Sequence, residues 1–144
     1  MIRDNIDELI KESIKSKNIV KTRVLRDIKN EFLKFKTSTN FKGFTDVDEI
    51  TILKRMYDSH IQSYDIYKNA NRMDLVQNEY DEMNIIKEFL PPEISKDDVN
   101  KFLDDKGYKT IEKKSMGQII KEVKTSLLGV DGSIVANAVK KRLV

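Results

Sequence analysis

Near the C-terminal end, Lys114, Gly117, Lys121 and Lys124 follow one another at intervals of 3, 4 and 3 residues. On a helix that spacing lines side chains along one side, and here the side lies opposite the apolar pair Ile119 and Val123. A row of ammonium groups facing away from a core is suited to the phosphates of a nucleic acid. Gly117 admits two readings. A phosphate approaches free backbone amides near the helix start, or a neighbouring helix packs closely where there is no side chain. Ser133, Asn137 and Lys140 share a polar side of the next helical segment and are of types that contact phosphates and riboses. These seven residues are the candidate RNA-contacting set.

No other constellation in the chain promises chemistry. With no cysteine, thiolate metal sites, disulfides and cysteine nucleophiles are excluded. A glutamine amidase needs a nucleophile, a base and an oxyanion hole, and no Gly/Ser-rich segment could supply them. No P-loop or glycine cluster is present to cradle a nucleotide. His60, the single histidine, lies beside the apolar stripe of a long helix and reads as a packing residue, with no second His or Cys to share a metal. Asp97-Asp98 and Asp104-Asp105 are adjacent pairs that diverge by about 100° on a helix, so capping and solvation explain them. Tyr57, Tyr64, Tyr67 and Tyr80 recur at helical spacing and read as core or core edge rather than as base-stacking platforms. Neither a catalytic residue, a metal site nor a cofactor is expected.

The charge is unevenly spread. Residues 1–92 hold 16 basic and 16 acidic side chains, whereas residues 106–144 hold nine basic and three acidic. An excess confined to one end is the footprint of an anionic partner, or simply a solvated lysine surface. No apolar run approaches the roughly 20 residues that span a bilayer, and the N-terminal segment lacks the apolar core of a signal peptide. A cytoplasmic protein with no membrane partner is the expectation.

The elements that would hold these residues are helical. Only five glycines and two prolines occur in 144 residues, 39% of them hydrophobic and 35% charged. Apolar stripes with a period near 3.6 run almost throughout. Ile2, Ile6, Leu9 and Ile10 open the series, and Val20, Val24, Ile28, Phe32 and Phe35 continue it. Residues 37–44 break the pattern. Thr45 caps a helix over residues 46–70, with Ile50, Leu53, Tyr57, Ile61 and Tyr64 inward and a length of roughly 37 Å. After a break at Asn71, a fourth helix turns Met73, Val76, Tyr80 and Met83 inward. Pro91 and Pro92 stop it. Ser95 then opens a fifth helix with Asp98 completing a capping box, and two more follow around Ile119 and Val135, the last capped by Asp131. The expected fold is all-α, with an N-terminal helical domain over residues 1–90, a small three-helix domain over residues 93–144, and freedom for the two to reorient.

Particular residues make the order of these elements familiar. NRMDLVQNEYDEMNIIKEFLPPEIS at 71–95, KTRVLRDIKNEF at 21–32, SMGQIIKEV at 115–123 and GVDGSIVANAVKKRL at 129–143 are colinear with the motifs of the YqeY family, which the chain resembles over essentially its whole length. Members often carry a second glycine and a proline in the Met-Gly helix; Ile120, Thr125 and Ser126 stand there instead, so a more regular helix is expected. The resemblance implies a helical domain followed by a three-helix module. That GatB/YqeY module forms the tail of the GatB component of aspartyl/glutamyl-tRNA amidotransferase and there contacts tRNA. The resemblance further links the family to carbon-nitrogen ligase activity with glutamine as amido-nitrogen donor. On this basis the chain is expected to be an accessory protein without its own catalytic centre, with tRNA or structured RNA as partner. The alternative is a protein-interaction module that docks on an amidotransferase or translation component.

Overall fold

The computed structural model describes residues 1–144. It is all-helical, with seven α-helices: α1 Ile6–Lys15, α2 Ile19–Lys36, α3 Asp46–Asn69, α4 Met73–Lys87, α5 Lys96–Asp105, α6 Met116–Ser126 and α7 Gly132–Lys140. Contacts divide the chain into two compact units, Met1–Leu90 and Pro91–Val144, and each has a hydrophobic core of its own.

In the first unit, α1 and α2 form one helical pair and α3 and α4 another. Leu25, Ile28, Leu53 and Ile86 are fully buried between them. The chain enters through a single 3₁₀ turn, Ile2–Asp4, which a side chain from α3 holds in place. Glu49, 1% exposed, accepts backbone hydrogen bonds from Ile2 (3.1 Å) and Arg3 (2.8 Å). Arg3 also pairs with Asp46 at 2.7 Å, a contact that raises its pKa. Glu49 thus does more than complement the helix N-terminus. Thr45 and Asp48 form a complete capping box at the start of α3, as the sequence indicates. The irregular 37–44 stretch is pinned by its aromatic residues. Phe44 meets Phe32 and Phe35 edge-on at 5.1 and 4.9 Å, and Phe41 meets Phe35 at 5.6 Å.

Two details depart from the periodicity. Met73 and Tyr80 of α4 face outward, 62% and 46% exposed, while Val76 and Ile86 are buried. At this rotation Glu82 and Glu79 of α4 pair with Arg23 of α2 and His60 of α3. The helix also stops at Lys87, before the prolines. Tight bonds from Glu88, Phe89 and Leu90 to carbonyls three residues back carry the chain to Pro91, because residues that precede a proline leave the helical region.

The second unit packs α5, α6 and α7 around Leu103, Ile111, Val123, Val135 and Val139, all at or below 1% exposure. Ser95 and Asp98 make the capping box of α5, and Gly107 takes the positive φ of +80° that ends it. Between α5 and α6, Ile111 joins the C-terminus in a short parallel bridge, its N–H bonding the Arg142 carbonyl at 2.8 Å and its carbonyl accepting from Val144 at 3.1 Å. Arg142 locks this end by donating to Asp104 (2.7 Å) and to the Tyr108 carbonyl (3.0 Å). A 3₁₀ turn, Lys113–Ser115, leads into α6, which runs unbroken through Ser126.

Candidate nucleic-acid interface

The seven basic and polar residues singled out above all lie in the second unit, but they do not form one surface of equal availability. Ile119 and Val123 are buried on α6, so Gly117, Lys121 and Lys124 stand exposed on its outer side. Lys114 lies in the 3₁₀ turn and pairs with Glu112 at 3.1 Å. That pair is open to water and worth little. A Cβ placed on Gly117 would meet nothing within 4 Å. Close helix packing therefore does not explain this glycine, and its backbone stands open to a partner. Lys124 leans across to the next helix, its Nζ 3.5 Å from where a Cβ on Gly132 would stand. The start of α7 is capped by Asp131, which accepts from the backbone of Ser133 (2.7 Å) and from its hydroxyl (2.6 Å). The Ser133 hydroxyl proton is thus committed to the cap.

Asn137 and Lys140 belong to a different grouping. They line a concavity of about 350 Å³ together with Lys96, Ile134 and Lys141. Lys96 is the first residue of α5, and Lys141 follows the end of α7, so two helix ends from opposite parts of the unit converge here. Interaction with the Lys96 side chain, and then its like charge, holds the Lys141 pKa below the ordinary lysine value. No carboxylate forms an ion pair with Lys96, Lys140 or Lys141.

Sequence reasoning missed Lys96 and Lys141. A signal existed for the first: a lysine in the first turn of a helix opposes the positive end of the helix dipole, so its presence there needs another reason. Lys141 carried no signal, because only the tertiary fold brings the two helix ends together.

His60 also has partners the sequence did not reveal. Its Nδ1 is 2.5 Å from a Glu79 oxygen and 3.5 Å from one of Glu82. The three ligand-type atoms lie within 4.8 Å of one another. As a donor set, one imidazole and two carboxylates suit a divalent ion. Here, however, Arg23 donates to Glu82 at 2.8 Å, placing a fixed positive charge at the site, and Glu79 is hydrogen-bonded to His60. The group is satisfied as an ion and hydrogen-bond cluster that binds α4 to α2 and α3.

No helix is long and apolar enough to cross a membrane. No curated protein matches the chain. Residues 3–143 match the family model described as Yqey-like protein, which is nearly the whole chain.

Proposed function

The chain belongs to the YqeY family, and from that membership we propose that it is a non-catalytic accessory module that binds tRNA or similarly structured RNA in connection with tRNA-dependent amidation. One observation carries the reading. The excess positive charge is confined to residues 106–144, where Lys121 and Lys124 stand exposed on the same helix as Gly117, around whose Cα there is open space, and Lys140 stands exposed at the end of α7. Structured RNA offers mainly phosphates and 2′-hydroxyls to such a face, so recognition follows shape rather than sequence. Binding then falls steeply with salt as counterions are released.

The test is tRNA binding at several salt concentrations for the wild type and the Lys121→Ala, Lys124→Ala double variant. Each lost phosphate contact lowers the salt slope by about one unit. Weaker binding with a slope shallower by about two units, at unchanged helicity, is the expected result. Equal affinities and equal slopes would remove this face from the mechanism.

A second reading, a module that docks on an amidotransferase or translation protein, has its own observation. A concavity of about 730 Å³ at the α1–α2 corner is lined by Ile14 and Ile19 with Lys17 and Arg26. Ile14 and Ile19 are 51% and 77% exposed. An acidic peptide with apolar anchors fits that chemistry, and its binding would depend less on salt than RNA binding does.

A further inference from the structure

We propose that the concavity between the start of α5 and the end of α7 is a phosphate site, formed by Lys96, Lys140, Lys141 and Asn137, that takes a phosphate monoester dianion such as the terminal phosphate of an RNA chain. The identification of RNA as the source rests on the function proposed above; the site itself rests on its own geometry. Three ammonium groups border one concavity, and none is neutralised by a carboxylate. Lys96 and Lys141 come from two different helix ends to line the same concavity, so like charges are crowded there, an arrangement that costs free energy until an anion lies between them. The same unit shows what a structural cation looks like: Arg142 spends its guanidinium on Asp104, the Tyr108 carbonyl and Asn100. Lys96, Lys140 and Lys141 have no such structural partner.

The charge selects the kind of phosphate. An internal phosphodiester carries one negative charge, whereas a monoester carries about 1.5 to 2 at neutral pH and three strong acceptor oxygens. Three lysines and the donor NH₂ of Asn137 match the second better than the first. The volume is at the lower end of small-molecule sites and suits a phosphate with part of its sugar. Ile134 is the single apolar residue in the lining and no aromatic side chain joins it, so there is no platform on which a base would stack. The site therefore reads the end of a chain and not its sequence.

The experiment uses the full-length protein in two arms. In the first, inorganic phosphate is titrated into isotope-labelled protein, with chloride at matched ionic strength as control, and the amides of residues 95–98 and the Asn137 side chain are followed by NMR. Saturable shifts with phosphate alone are expected, and they should vanish in Lys96→Gln, Lys141→Gln protein whose spectrum is otherwise intact. In the second arm, one RNA hairpin is compared with a 5′-phosphate and with a 5′-hydroxyl. The wild type should prefer the phosphorylated end by about tenfold, the effect of one charge-assisted bond, and the double variant should bind both ends equally. Absent phosphate shifts together with equal affinity for the two ends overturn the site while the RNA reading stands. Saturable phosphate shifts without any RNA binding overturn RNA as the source and leave the phosphate site in place.

Discussion

At the scale of single residues, Glu49 shows how much one side chain can hold. Its carboxylate receives the backbone N–H groups of Ile2 and Arg3, partly buried donors with no helical partner. Replacing it with Ala leaves both unsatisfied, at about 1–3 kcal/mol each. The expected cost of Glu49→Ala is therefore about 2–6 kcal/mol, from the upper part of the usual range for point changes to beyond it. Chemical unfolding followed by circular dichroism should show a lower midpoint with an unchanged slope. A midpoint equal to that of the wild type would mean that the N-terminal turn contributes nothing. His60 is a contrasting case. Its neighbours Glu79 and Glu82 lie 19 and 22 positions away, and only the α3–α4 hairpin closes that gap.

At the scale of elements, the helix starts are the best-specified features. Thr45 with Asp48, and Ser95 with Asp98, form both reciprocal bonds of a capping box. Ser95→Ala should destabilise the second unit by about 1 kcal/mol. The Asp98 pKa is lowered, chiefly by the backbone N–H of Ser95 and then by its hydroxyl. Because the folded-state pKa lies below the unfolded one, this carboxylate stabilises the fold above the ordinary carboxylate range. That contribution is lost as pH falls through the folded value. Acid titration should thus weaken the second unit of the wild type more steeply than that of Asp98→Asn. Identical acid profiles would show that the cap does not link stability to pH. The α4 stripe misleads at this same scale. Periodicity turns Met73, Val76, Tyr80 and Met83 inward; Val76 is buried as expected, but Met73 and Tyr80 are exposed and Ile86 is buried instead. The Arg23–Glu82 and His60–Glu79 contacts accompany this rotation of α4, and such cross-helix pairs leave no mark on the hydrophobic pattern.

At the scale of the whole molecule, each compact unit encloses its own apolar cluster. We propose that these units are separately stable domains. Leu103 is completely buried in the second cluster, and truncating such a leucine costs about 2–5 kcal/mol. Leu103→Ala should therefore lower amide-exchange protection across residues 91–144 and leave residues 1–90 as protected as in the wild type. Equal loss of protection in both would show a single cooperative unit and remove the proposal.

Several properties were legible in the sequence because they depend on local order along the chain. Helix type follows from the 3.6-residue stripes and the scarcity of glycine and proline. The capping boxes follow from side chains three positions apart, and the exposed side of α6 from the spacing of Gly117, Lys121 and Lys124, whereas Lys114, expected on the same helix side, falls in the 3₁₀ turn before it. The confinement of excess charge to residues 106–144 is a matter of counting. Family membership follows from the colinear order of such segments. What remained hidden depends on groups far apart in sequence. Glu49 reaches Ile2 and Arg3, Lys96 meets Lys141, and Gly117 proves to have open space around it. Each of these is a distance between distant residues, and packing of the helices sets those distances after the local pattern has made the helices themselves.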